Sequence, residues 1–179
     1  MKAVMLSIRP QWCELIANGK KTIEVRKSRP KLETPFKCYI YETRGKTDTP
    51  WVGEDGHIDF HGRGQVIGEF ACDEIYKISN CSNTFRIPFK DEAFTNQIAN
   101  WSCLSFGEMQ EYLSDCDGCG WRISALQIYD KPRELGEFKR CDECPYGPRE
   151  RCKEHEFGCD RTYALTRRPQ SWGYVEELE

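Results

Sequence analysis

Three ionisable residues fall within six positions of one another: Lys21, Glu24 and Arg26. Together they offer an ammonium, a carboxylate and a guanidinium. An arginine can hold a phosphate or a base acceptor through two parallel N–H bonds, and a lysine adds a compact point charge. A carboxylate accepts from an exocyclic amine such as that of cytosine. In another setting, the same lysine and carboxylate serve as acid, base or electrostatic stabiliser in a hydrolysis. The plainer alternative is a solvated salt-bridge ladder on an exposed strand, since charge clusters mark sites only statistically.

A second set is rich in sulfur: Cys141-x2-Cys144-x7-Cys152-x2-His155-x3-Cys159. A CxxC pair followed by further thiols is the pattern of a tetrahedral thiolate site, most often zinc. Five donors compete for four positions. Cys141, Cys144 and Cys152 lead, Cys159 is favoured as the fourth, and His155 is the alternative. Four protein ligands leave no open position for water, so the expected zinc is structural; an iron–sulfur cluster takes the same number of ligands. The segment has almost no apolar residues, so a metal would supply its folding energy. Cys116 and Cys119 form another CxxC, but with no second thiol pair close by, they read as a turn. His57 and His61 lie between Gly56 and Gly62, which speak against a helix holding them as a metal pair.

The elements that must position the charged trio are legible from periodicity. Val4, Leu6 and Ile8 alternate with Met5, Ser7 and Arg9, the pattern of a half-buried strand. Pro10 opens a helix whose apolar face is Trp12, Leu15 and Ile16, and Gly19 stops it. A strand over 22–27 places Ile23 and Val25 on one face and Thr22, Glu24 and Arg26 on the other, with Lys21 at its mouth. Further strands are expected at 37–43, 65–78, 121–129 and 171–178, with Gly68 as a bulge and Pro132 as a stop. Helices are expected over 91–101 and after the Ser105/Glu108 capping box. Residues 44–64 and 80–88 read as irregular. Strands with interpolated helices give an α+β class and suggest a small closed or nearly closed barrel, with helices plugging its ends.

The 179 residues suit one domain, 1–179, carrying residues 140–160 as a zinc-knuckle-like insertion. No run is long enough to span a bilayer, and the N-terminus lacks a signal-peptide core. A soluble cytoplasmic protein is therefore expected, and in a reducing cytosol clustered cysteines point to metal rather than disulfides. The net charge is −3, but it is unevenly spread. Residues 1–46 hold eleven Lys/Arg and four Asp/Glu, and the rest hold fifteen and twenty-five. The opening module is a basic patch on an acidic protein, as a phosphate-directed face would be.

The full GxKxxExR spacing of Gly19, Lys21, Glu24 and Arg26, preceded by LSIRPQWCELIANG, resembles the ASCH family. GQVIGEF (64–70), GWRISAL (120–126) and RPQSWGYVEEL (168–178) extend the resemblance to bacterial and phage members along the whole chain. The resemblance implies a PUA-like β-barrel, related to RNA-binding PUA and modified-base-reading EVE and YTH modules. It implies a cleft in the barrel wall, lined by Lys21, Glu24 and Arg26, that takes RNA or a modified nucleotide. Trp12 and Trp121 are the candidates for stacking on a base, with core the stronger reading for Trp121. Arg9, Lys20, Lys27 and Arg29 are the candidates for flanking phosphates. The alternative is a hydrolase, ribonuclease or N4-acylcytidine amidohydrolase-like, using Lys21 and Glu24 with Arg26. Some small members carry a Thr nucleophile three residues after the motif lysine. Here Glu24 holds that position, and a carboxylate cannot do that chemistry in that geometry. A protein partner docking on the Cys-rich segment is a third expectation.

Overall fold

The computed structural model describes residues 1–45, 51–52, 58–59, 62–81, 84–88, 90–114, 116–140 and 163–178. Its framework is a nine-stranded mixed sheet. The strands are β1 (Lys2–Ile8), β2 (Ile23–Arg26), β3 (Phe36–Glu42), β6 (Val66–Cys81), β7 (Thr84–Arg86), β8 (Gly118–Arg133), β9 (Lys139–Arg140), β10 (Tyr163–Ala164) and β11 (Trp172–Glu176). Between β3 and β6, β4 (Trp51–Val52) and β5 (Ile58–Asp59) form a separate two-stranded ladder. The order is β10-β9-β11-β1-β3-β6-β8-β2, with β7 hairpinned onto β6. Among the described residues, only β1 and β3 run parallel. The helices are α1 (Pro10–Ala17), α2 (Glu92–Ser102) and α3 (Phe106–Leu113).

The order explains why β1 departs from a half-buried pattern. Residues 3–8 are all buried, because β1 is flanked by β11 and β3 and covered on both faces. Val4, Leu6 and Ile8 join Ile16 of α1 and Phe70 and Trp121 of β6 and β8 in one core. Ala3 and Met5 face the other way, onto Tyr39, Phe138, Leu165 and Val175. Complete burial of an Ile or Leu is worth about 1.5–3 kcal/mol. A third core lies behind β2, where Ile23 and Val25 meet Ile98, Met109 and Leu113 of α2 and α3.

Of the closed or nearly closed barrel expected, the closed form is corrected. The hydrogen-bonded ladder ends at β2 and does not continue to β1 or β11 among the described residues. The sheet nevertheless curls, because side chains cross the seam. Arg26 of β2 donates to the Ser7 carbonyl of β1 at 2.8 Å and to the Ser171 hydroxyl at 3.4 Å. Trp172 Nε1 donates to Ser28 Oγ at 3.1 Å, and Lys31 N donates to the Tyr174 hydroxyl at 2.7 Å. The placement of the helices is corrected as well. Only α1 enters the inner core, through Cys13 and Ile16; α2 and α3 pack on the outer face of β2.

Local chemistry accounts for the boundaries. Pro10 is the first residue of α1, and Gly19 follows the helix at φ 71°, the left-handed conformation glycine adopts without strain. Asp91 and Ser105 cap α2 and α3, and Glu108 completes the capping box. Pairing slips around Gly68, where a Cβ would meet the Gln127 carbonyl oxygen at 2.5 Å, so the strands can approach only because the residue is glycine. Two expectations differ. Residues 79–81 pair antiparallel with residues 84–86 where irregular chain was expected. β8 also runs through Pro132, across an irregular stretch between the Gly68–Ile128 and Val66–Arg133 pairs, where no regular ladder requires its missing N–H.

No helix among the described residues is long and apolar enough to cross a membrane. The metal candidates Cys141, Cys144, Cys152, His155 and Cys159, like His57 and His61, lie outside the described residues. Among the described residues, no group of three or more His, Cys, Asp or Glu side chains could hold a metal. Cys116 and Cys119 are free thiols, the first exposed and the second half-buried.

Candidate functional site

The segment carrying the charged trio is pinned before it becomes a strand. The Lys20 and Lys21 amides both donate to the Leu15 carbonyl at the end of α1. Thr22 N donates to the Trp101 carbonyl of α2, and the Thr22 carbonyl accepts from Ile123 N of β8. Alternation along β2 then sends Ile23 and Val25 outward to the helices and Glu24 and Arg26 inward. Inward here means the inside of the curled sheet, so all four residues of β2 are buried. A solvated charge ladder is thereby excluded. Lys21 is 2 % exposed, and Glu24 and Arg26 are each 7 % exposed.

The three charges form one network. Lys21 Nζ lies 3.4 Å from Glu24 Oε2, and Arg26 Nη2 lies 3.0 Å from Glu24 Oε1. Glu24 thus takes one cation on each oxygen. Lys21 Nζ also donates to the Ser102 carbonyl at the C-terminus of α2, at 2.5 Å. Its ammonium sits 5.2 Å from the centroid of the half-buried Trp12 ring, a cation–π contact. Arg26 reaches across the seam to Ser7 and Ser171, but its Nε–H is buried and has no acceptor among the described residues. Trp121 stands directly opposite Glu24 on β8. It is fully buried against Phe36 and Trp172, and its indole N–H is likewise buried without an acceptor among the described residues.

Next to the network, Cys13 of α1 donates to the Ile8 carbonyl. Burial pushes its thiol well above the ordinary range, and Glu42 and Glu24 add to that, with Arg26 opposing. Each of these except Arg26 favours the neutral thiol over the thiolate. Glu42, at the end of β3, is also buried and accepts from Arg63 N at 3.1 Å.

The structure thus brings Lys21, Glu24, Arg26, Trp12 and Trp121 together. Arg9 sits apart, exposed at the N-cap of α1. Sequence reasoning missed Ser7, Ser102 and Ser171. Ser171 lies in the closing RPQSWGYVEEL stretch, so a signal existed for it. Ser7 and Ser102 contribute only carbonyl oxygens, which no residue type announces.

A family model described as the ASCH domain matches residues 6–112. Among solved structures, the crystal structure of ASCH from Zymomonas mobilis is similar, with a TM-score of 0.57 at 16 % identity, covering 98 % of this chain and 88 % of that one. Two mutant forms of the same Zymomonas mobilis protein give TM-scores of 0.55 and 0.57, at 17 % and 16 % identity. They cover 99 % and 98 % of this chain and 92 % and 89 % of theirs. At that identity the likeness concerns the fold. Among curated proteins, no relative matches.

Proposed function

We propose, from the premise that this chain belongs to the ASCH domain family, that it binds RNA or a modified nucleotide through the Lys21–Glu24–Arg26 cleft at the seam between β2 and β1. The family is PUA-like and generally binds nucleic acid. The observation that carries the reading is the pair of buried donors without acceptors among the described residues, Arg26 Nε–H and Trp121 Nε1–H, on the face that also presents Glu24. A buried unsatisfied N–H costs about 1–3 kcal/mol. Native proteins rarely leave such groups unmade without a functional reason. A nucleotide supplies the missing acceptors as phosphate, carbonyl or ring nitrogen, and Glu24 accepts from its exocyclic amine. Trp12, half-buried at the Lys21 ammonium, is the aromatic positioned to stack.

The same reading places a structural zinc on Cys141, Cys144, Cys152 and Cys159, with His155 as the alternative fourth ligand. The soft thiolate donor set suits zinc. It would hold the insertion's fold and take no part in the cleft's chemistry.

Incubation with labelled single-stranded RNA and with acylated cytidines tests the binding reading against the hydrolase alternative. Saturable RNA binding with both substrates recovered intact is expected. Turnover that disappears in Lys21→Ala would replace this reading with the hydrolase.

A further inference from the structure

Past Arg26, the chain leaves β2 and borders a cavity of about 290 Å³. Its floor is Ile75 of β6 and Cys119 of β8, and its rim carries Lys27, Arg29, Lys77 and Asp117. Three cations face one carboxylate. That carboxylate is shared with Lys77 at 3.3 Å, in a pair whose two side chains are both more than half exposed, and such a pair yields readily to a competing anion. Arg29 is held in place by the Pro30 and Leu32 carbonyls, at 3.4 and 3.1 Å. The Lys27 ammonium is 5.8 Å from the Tyr112 ring centroid. Burial pushes the Cys119 thiol up, while Arg29 and Lys77 pull against it, so both charges act on the pocket floor.

The pocket adjoins the charged network. Cys119 pairs with Arg26 across β2 and β8, and with Lys77 across β8 and β6. Arg29 stands three positions past Arg26, beyond a bend at Lys27, so the two are at most about 10 Å apart along the chain at ~3.3 Å per residue. That is a spacing a neighbouring nucleotide of a single strand can cover. The volume is at the small end of the ~300–1,000 Å³ range of ligand pockets, which favours a phosphate group over a whole nucleotide.

We propose that this pocket is a phosphodiester subsite, holding the backbone phosphate next to a nucleotide in the Lys21–Glu24–Arg26 cleft. The proposal rests on the binding reading above. It uses Lys27 and Arg29 of the basic opening module and adds Lys77, which lies fifty residues further on.

The test compares wild-type protein with Arg29→Ala/Lys77→Ala and, separately, with Arg26→Lys. All three are titrated with an oligouridylate at several salt concentrations, and by amide NMR with inorganic pyrophosphate. Arg29 and Lys77 are exposed, so the double variant is expected to fold. The double variant should bind the oligonucleotide about tenfold more weakly, with a log–log salt slope shallower by about 0.7, since one neutralised phosphate on a single strand contributes ~0.7. Pyrophosphate should shift the Gly118 and Cys119 amides in wild type and not in the double variant. An unchanged oligonucleotide slope would overturn the subsite, and amide shifts in that case would mark a site for small anions only. Loss in the double variant with none in Arg26→Lys would sink the cleft reading while leaving the pocket as a nucleic-acid contact. An oligonucleotide that does not bind wild type contradicts both.

Discussion

Glu24 is the residue on which the site's electrostatics turn. It is the carboxylate partner of both Lys21 and Arg26, and all three are nearly excluded from water. Removing one member of a buried charge network leaves its partners uncompensated, at a cost of about 3–5 kcal/mol. Glu24→Ala is therefore expected to lower the unfolding free energy by about 3 kcal/mol or more in a urea titration. A loss below about 1 kcal/mol would mean the network is solvated. The GxKxxExR spacing made this pairing legible in part, because alternation puts Glu24 and Arg26 on one face. It could not show that the face points inward. That depends on β2 pairing with β8 and on the sheet curling, which rest on residues about a hundred positions away. The unpaired N–H of Trp121 was hidden for the same reason: Trp121 faces Glu24 only through that pairing.

At the scale of elements, the irregularity where β6 meets β8 is the most informative feature. Pairing shifts between Cys72 and Ile75, and Asp73 and Glu74 fall in the gap. Arg122 of β8 closes it with two parallel bonds to Asp73, at 2.7 and 2.8 Å, and approaches Glu74 at 3.4 Å. The Arg122 bonds hold the Asp73 carboxyl below its ordinary range. A carboxyl depressed in the folded state stabilises above its unfolded value and loses that contribution as pH falls through the folded one. Arg122→Ala is thus expected to lower stability slightly near neutrality, as loss of an exposed ion pair does, with the difference from wild type shrinking as pH falls below about 4. Denaturation curves at pH 7 and pH 3 check this, and a difference that persists at pH 3 would contradict it. The chain foretold most elements through hydrophobic period, Pro10, Gly19 and the Ser105/Glu108 box. It gave no sign that residues 79–81 pair with 84–86 or that β8 continues through Pro132, because those depend on the neighbouring strand and not on local propensity.

For the whole molecule, three separate cores and a seam crossed only by side chains define what is robust. The ends of the Cys-rich segment are joined, since Arg140 and Lys139 of β9 pair with Tyr163 and Ala164 of β10. Phe138 and Leu165 beside them belong to a core that also contains Tyr39 and Val175. The described residues on either side of the insertion thus join the sheet through their own pairing and packing. Reduced, freshly purified protein is expected to carry one zinc per chain by elemental analysis. Chelation should loosen the insertion while the main thermal transition persists. Metal-free protein would remove the zinc proposal, and complete unfolding on chelation would show that the sheet relies on the insertion. Composition and spacing were enough to raise the metal, but not to connect it with the cleft.

The basic opening module and the buried network meet at Arg26, and the central claim is that this guanidinium binds nucleic acid. Fluorescence anisotropy with a labelled single-stranded oligoribonucleotide tests it most directly, comparing wild type with Arg26→Lys and Glu24→Gln after circular dichroism has established that each is folded. Arg26→Lys keeps the charge but loses the planar fork that bridges the seam. Glu24→Gln keeps the shape but loses the anion. The account predicts at least tenfold weaker binding for each, about 1.4 kcal/mol or more. Wild-type affinity in both folded variants would contradict it.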